Sequence, residues 1–416
     1  MTLQSSGALN LGDVNVELTK ARTTEIGLDD SDVRSLYEIP SGPIRLAADG
    51  YDKEFFAPGG LWASGFQSSI QPQLGIGTIT HRSSPVQVGA LTNWKYVSSS
   101  TDDSTGEMAA AAIKSDGTLW AWGSNQLGPL GQNDRLTRSS PIQIGAFTNW
   151  KWVQFGVSTW WAIKTNGELW TCGSDNRGKL AQGTAGVNKS SPVQIGALTN
   201  WKWVDGASNF AMAIKTDGTL WAWGGTAAGA TGTGDLVHRS SPIQIGALTD
   251  WKLISTHQAS SAAIKTNGTL WTWGANLDGR LGLGNRTDRS SPVQVGALNN
   301  WKTVSSGYDH MVAVKTDGTL WAWGYNGFGP LGNNDRVHRS SPIQIGALTD
   351  WKQPAGGYFR SAAIKTNGTL WTWGLNTSGQ LGQNDRVHRS SPVQVGALTS
   401  WKYVANESGN LFAIRT

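Results

Sequence analysis

Cysteine is almost missing from this chain of 416 residues: Cys172 stands alone, which excludes an intramolecular disulfide framework and offers no thiol cluster to a structural metal. Long apolar runs are missing too. No stretch approaches the ~18 residues of a membrane-crossing helix, and the opening MTLQSSGALNLG has neither the basic flank nor the apolar core of a secretory signal. The expectation is a protein made in a cytoplasm, with no membrane insertion. Charge is sparse, at 15% Asp, Glu, Lys and Arg, and unevenly placed. Residues 1–50 hold four Lys/Arg against eight Asp/Glu, leaving 30 against 21 on the remainder, dispersed without a basic cluster. Nucleic acid is therefore not an expected partner.

What is plentiful is tryptophan. The 23 Trp outnumber the 7 Tyr and 9 Phe together, and 53 Gly accompany them, a composition of turn-rich β-structure with aromatic packing. The tryptophans recur in a pattern: KTNGTLWTWG at 365–374 returns almost unchanged at 265–274, and as KTDGTLWAWG at 215–224 and 315–324. Marking the first Trp of each LWxWG gives Trp62, Trp120, Trp170, Trp221, Trp271, Trp321 and Trp371, at intervals of 58, 50, 51, 50, 50 and 50. Seven units of this period, each with four strand-like segments, imply an all-β fold, a seven-bladed β-propeller over residues 51–416. A small N-terminal segment, residues 1–50, shares nothing with the repeat.

In one unit the segments are WKxV (301–304), AVK (313–315), LWAWG (320–324) and SSPIQIG (340–346). The Asp-Gly or Asn-Gly between the second and third predicts a type I′ hairpin, whose central residues both need positive φ. Strand alternation puts Trp321 and Trp323 on one face and Leu320 and Ala322 on the other, so each blade offers a bulky face and a small one for stacking. Cys172 fills the second Trp slot of its unit and reads as a buried apolar substitute. The chain ends at LFAIRT, which supplies the segment before LWxWG but no LWxWG, while LWASG at 61–65 has no proper partner upstream. The C-terminal strands are therefore expected to complete the first blade and close the ring.

The unit LWTWGLNTSGQLGQND at 370–385, with Gly374, Asn376, Gly379, Gln380, Leu381 and Gly382, resembles the repeat of the regulator of chromosome condensation family. The resemblance implies a seven-bladed propeller. It leaves function open, because the fold serves nucleotide exchange, ubiquitin ligases, enzyme inhibition and bacterial or viral binding proteins. The family's Gly-x-x-His before the apolar strand survives only at Gly307–His310, and Gly357–Arg360 ends in Arg. Residues 1–50 resemble a short N-terminal module of structural and tail-fibre-like proteins of tailed bacteriophages, through Ser5, Ser6, Gly7, Leu11, Gly12, Leu28, Asp30, Val33, Arg34, Leu36, Pro40, Ser41, Gly42 and Ile44. That resemblance implies an attachment module, with Leu11, Leu28, Val33, Leu36 and Ile44 as its apolar contacts. A short helix is expected around residues 31–37.

No catalytic constellation appears, and no cofactor or metal is expected. His81, His238, His338 and His388 share one repeat slot, so a blade rotation separates them and they cannot converge on one ion. The slot of Arg82, Arg138, Arg239, Arg289, Arg339 and Arg389, with Lys189, reads as a scaffold that ties the preceding loop through carbonyl hydrogen bonds. Asn267-Gly268-Thr269 and Asn367-Gly368-Thr369 are formal glycosylation acceptors that read more simply as hairpin turns.

The informative positions are those that differ between near-identical blades. Antiparallel strands alternate their connections between two faces, so the hairpins and the GALTDWK links share one monotonous face. The connections after WKxV and after LWxWG share the other, variable one. Aromatic and polar side chains gather there: Phe155, Trp160, Asp175, Arg177, Phe210, His257, Tyr308, Asp309, His310, Tyr325, Phe328, Tyr358, Phe359 and Arg360. A rigid ring with one variable, aromatic-rich face fits a recognition surface.

The sequence thus points to a non-enzymatic phage virion protein, from the tail fibre, baseplate or capsid exterior. Residues 1–50 would anchor it to other virion proteins, and the propeller would meet a host-surface glycan or protein. A second expectation is an intracellular protein-binding propeller, such as a GTPase exchange factor or an inhibitor-like module, with 98–108 as the candidate wedge. A purely structural decoration or a glycan-binding lectin are further options. A glycan-degrading enzyme is disfavoured, because Asp309 and Glu407 are isolated rather than paired.

Overall fold

The computed structural model describes residues 58–67, 72–100, 108–406 and 409–416. The N-terminal positions Leu11, Leu28, Val33, Leu36 and Ile44 lie outside them, as does the expected helix at 31–37, most of the 98–108 segment, and Glu407.

Alternating strand patterns at the 50-residue period fold as seven antiparallel four-stranded sheets. In a typical blade, the sixth, β19 (Trp301–Ser306) is innermost. β20 (His310–Lys315) and β21 (Leu320–Gly324) follow, and β22 (Arg339–Gln344) forms the outer edge. The outer RSSPxQ strand is half-buried and carries a proline, which has no N–H to offer a further strand and so blunts the edge. The first blade has the order β2-β1-β28-β27, joining β1 (Gly60–Gly65) and β2 (Arg82–Gln87) to β27 (Trp401–Asn406) and β28 (Asn410–Arg415). Its six-residue register from Gly60↔Arg415 to Gly65↔Asn410 is the ring closure that the truncated repeat predicts.

The two faces of each blade differ as expected. Met311, Ala313 and Trp323 of the sixth blade pack on Ala262, Ile264 and Leu270 of the fifth. Val312, Val314, Leu320 and Ala322 receive Trp351, Ala363 and Trp373 of the seventh. Four of the second-slot indoles, Trp122, Trp223, Trp323 and Trp373, also tie blades by a hydrogen bond. Trp323 Nε1 donates to the Arg280 carbonyl at 2.9 Å, Trp373 to Pro330 at 2.7 Å and Trp122 to Gln73 at 2.7 Å. Fully burying such an indole contributes about 4–6 kcal/mol as an upper bound.

Cys172 breaks that rule and shows what enforces it. Its slot is buried as expected, and burial pushes the thiol up to about 12. Directly across the ladder stands Trp160, where other blades carry Ala110, Ala211, Ser261, Met311 and Ser361 opposite their Trp. Trp160 Nε1 donates to the Pro129 carbonyl at 2.8 Å, the bond the missing Trp would make. Large and small have traded places across one pair of strands.

The hairpin differs from the expected type I′. Gly318 N–H bonds the Lys315 carbonyl, Lys315 N–H bonds the Thr319 carbonyl, and within the turn only Gly318 has positive φ, at 77°. This is a three-residue loop, a type I turn followed by a left-handed Gly. Asp317 accepts from the Thr319 amide and hydroxyl, Thr319 accepts from Trp321 Nε1, and the Lys315 ammonium sits 3.5 Å from the Trp321 ring centroid. Asn267 and Asn367 take the same part in their turns.

At the axis, four of the residues that follow WK contact their equivalents on neighbouring blades. Tyr403, Tyr96, Trp152 and Trp203 form a file of rings with successive centroids 4.8, 4.1 and 3.9 Å apart.

Candidate functional site

The two variable connections meet on one face, as strand alternation requires, and over the sixth and seventh blades their aromatic side chains make a single patch. Tyr308 and Asp309 follow β19, Tyr325 and Phe328 follow β21, and Tyr358 and Phe359 follow the innermost strand of the next blade. Phe359 is the hub. Its ring centroid lies 4.8 Å from Tyr325, 5.5 Å from Phe328, 5.4 Å from Tyr308 and 4.5 Å from Tyr358. Phe359 has φ 53°, a left-handed conformation that costs a bulky residue about 1–2 kcal/mol. All six side chains are half-buried, so their rings keep open surface.

Beneath the patch lies a charged pair. Arg280 Nη2 meets Asp309 Oδ1 at 2.5 Å, and Arg280 also donates to the Tyr308 carbonyl at 3.2 Å. Burial raises the Asp309 carboxyl above its ordinary value, and the Arg280 guanidinium opposes that shift. Burial also raises Tyr325, with Asp278 and Asp309 adding to it, so the phenol stays a neutral donor. His338 stacks on Tyr325 at 4.8 Å and 26°.

Eight of the fourteen face candidates stand elsewhere. Phe155, at the end of its blade's innermost strand, and Trp160 and Phe210, at the start of the second, are buried at blade junctions and present no contact area. His310 and Arg360, at the same height, are buried ties to the next blade. His310 Nε2 bonds Ser361 Oγ at 2.8 Å, and Arg360 donates to Asn406 Oδ1 at 2.7 Å and the Asn410 carbonyl at 2.8 Å. Burial drives both His257 and His310 down to about 3, so neither serves as a base near neutrality. Asp175 is buried and closes its own loop by accepting from Leu180 N–H at 3.0 Å, in the slot where other blades use Asn. Arg177 is exposed, but apart from the aromatic patch, beside Gly225.

The repeated His and Arg have the scaffold roles expected of them. His338 and His388 accept the Asn326 and Asn376 amides on Nδ1 at 2.7 and 2.9 Å. Arg339 reaches back to the Val337 carbonyl and to Asp335, and Arg138, Arg239 and Arg389 repeat the arrangement. Sequence reasoning missed Arg280 as a patch residue. Its slot was open to inspection, since Gln73, Pro129, Lys179, Ala230, Pro330 and Gln380 fill it elsewhere. Among the described residues no group of three or more His, Cys, Asp or Glu is placed to hold a metal ion, and no helix is long and apolar enough to cross a membrane.

The model of the RCC1-like domain family matches residues 60–415. The chain belongs to this family. Solved structures agree on the fold. Prp20p of Saccharomyces cerevisiae, described with its binding to Gsp1p and histones, superposes with a TM-score of 0.77 at 16% identity, covering 89% of this chain and 95% of that one. Human WBSCR16 gives 0.74 at 17% identity, covering 86% and 99%. Yeast RCC1 (Prp20) bound by Kap60 gives 0.77 at 16%, covering 89% and 92%. No curated protein matches the chain in sequence. As an RCC1-like propeller, the chain departs from regular repetition chiefly on the face that carries the aromatic patch.

Proposed function

We propose that this RCC1-like propeller is a non-enzymatic recognition protein carried on a virion, anchored through residues 1–50, whose patch around Phe359 binds a host-surface glycan or protein. The observation that carries the recognition role is the meeting of five aromatic rings from three variable connections around a residue held in a strained conformation. Half-buried Tyr and Phe rings offer flat apolar area at small entropic cost, with phenol groups and a buried ion pair beside them for orientation. Support for the virion setting is the resemblance of residues 1–50 to phage attachment modules. Repetition of the propeller on a particle would strengthen weak single contacts by ~10²–10⁴.

A second reading, a protein-binding propeller inside a cell, is favoured by the named ligands of its structural neighbours: Gsp1p and histones for Prp20p, and Kap60 for yeast RCC1. Competition separates the two. Purified full-length protein is expected to reduce particle adsorption to host cells, and Phe359→Ala to weaken that competition about tenfold with little change in melting temperature. Undiminished adsorption at saturating protein counts against host recognition, and accelerated nucleotide release from a small GTPase would move the conclusion to the second reading.

A further inference from the structure

The aromatic patch has an acidic margin that its own packing does not use. Asp278 and Asp309 stand fifty residues before Phe328 and Phe359, in the same two slots of the preceding blade junction. At the later junction those slots hold rings: Phe328 lies 5.5 Å from Phe359 and 5.7 Å from His388. At the earlier one they hold two carboxylates, with His338 in the place of His388. Tyr325 joins the two halves, its ring stacked on His338 at 4.8 Å and lying 4.8 Å from Phe359.

The cations beneath do not satisfy both acids. Arg280 is buried and committed to Asp309 and to the Tyr308 carbonyl. Arg360, also buried, directs its donors to Asn406 and the Asn410 carbonyl of the first blade. Asp278 is half-buried and, among the described residues, makes no hydrogen bond or ion pair; the Tyr325 hydroxyl makes none either. The Asp278 charge instead adds to the burial that raises Asp309 and Tyr325. Folding does not call for this carboxylate, since Leu127, Arg177, Ala228, Phe328 and Ser378 fill its slot in other blades. A half-buried acid set unpaired near a second one is unfavourable until a cation arrives.

Resting on the recognition role of this face, we propose that the patch takes an arginine side chain of a partner protein. The guanidinium meets Asp278 and the Tyr325 hydroxyl, and an apolar neighbour of that arginine lies on Phe328 and Phe359. A guanidinium presents five donors in a planar fork, which suits a carboxylate and a phenol oxygen together. A neutral sugar stacks on the same rings and donates to Asp278, but it leaves the repulsion between the two carboxylates in place, and an acidic sugar adds to it. The five rings pack on one another with neighbouring centroids 4.5–6.2 Å apart, so they form a platform and not a cage around a quaternary ammonium.

Fluorescence anisotropy of a dye-labelled Gly-Leu-Arg-Phe-Gly amide, titrated with the full chain, tests this. Its affinity should exceed about tenfold that of a twin in which citrulline, of the same shape but neutral, replaces arginine, and ~0.5 M salt should erase most of the difference. Asp278→Asn should remove the preference for arginine, leave the citrulline peptide's affinity unchanged and raise the melting temperature slightly, because a repulsion is gone. Phe359→Ala should weaken both peptides alike. Equal affinity for the two peptides, no measurable binding of either, or a preference that survives Asp278→Asn would each overturn the proposal. Competition for particle adsorption separates its failure from that of the recognition role. Both variants are expected to compete about tenfold less well than the parent. If only Phe359→Ala does, the patch still recognises the host and the arginine ligand falls, leaving a glycan; if neither does, the recognition role falls too.

Discussion

Trp160→Ala is the sharpest probe of how the blades are held. Trp160 is 0% exposed, donates to Pro129 at 2.8 Å and meets Trp150 edge to face at 6.1 Å. Truncating a buried Trp costs about 3–5 kcal/mol, and the unmatched Pro129 carbonyl adds about 1. Cys172→Trp alone overpacks the same junction, at about 1–3 kcal/mol. Together the two changes recreate the second blade, where Ala110 faces Trp122 and the indole bonds the Gln73 carbonyl. Room for the new ring exists, since Gly131 keeps the glycine that lies against the indole at Gly75, Gly282 and Gly332. Urea unfolding followed by far-ultraviolet circular dichroism should place the double variant within ~1 kcal/mol of the parent, whereas the single variants sum to roughly 5 or more. In a unit this large the Trp160→Ala loss lowers Tm by about 5 °C. A double variant as unstable as that sum would refute the idea that one indole per junction, from either strand, is what the interface needs.

Two further outcomes follow from burial and from closure. Burial raises Asp205, which accepts the Thr256 and Gly206 amides, to about 7. A carboxyl whose folded value is raised stabilises fully below its unfolded value of ~3.9 and loses that contribution as pH rises toward ~7, up to about 4 kcal/mol. His257 and His310, pushed down to about 3, act in the opposite sense and lose theirs as pH falls below ~6.5. In urea unfolding across this range, the advantage of the parent over Asp205→Asn should shrink as pH rises, and a constant difference would refute the assignment. Ending the chain after Asn406 removes β28 and unpairs six residues of β1, so size-exclusion chromatography should show aggregates. A monodisperse monomer would refute the need for that pairing.

The architecture was legible because it is written seven times. A 50-residue period, paired indoles and a final half-unit lead directly to a closed ring; the repeated His could be set aside as a metal site because a blade rotation separates them, and the repeated Arg could be judged scaffold from their recurrence at one strand entrance. The hairpin type was not legible. Asp-Gly serves both type I′ and type I-plus-Gly turns, and the loop length that decides between them is set by where Lys315 and Thr319 pair. Alternation of connections placed the variable segments on the correct face, but not their depth. Trp160, Phe210, His310 and Arg360 sit one residue too far into the second strand to reach solvent, whereas Tyr308, Tyr325 and Phe359 sit in the connections themselves.

Joining the first strand to the last has a consequence for the order of assembly. On the ribosome, β1 and β2 emerge early and wait for β28, about 350 residues later, which at ~5–20 residues per second is roughly 20–70 s. For that interval the growing arc carries an unmatched ribbon at its leading end, while every later sheet can finish as soon as its own fifty residues are out. The emergence of β28 therefore decides whether the first half-sheet finds its own partner or that of a neighbouring chain.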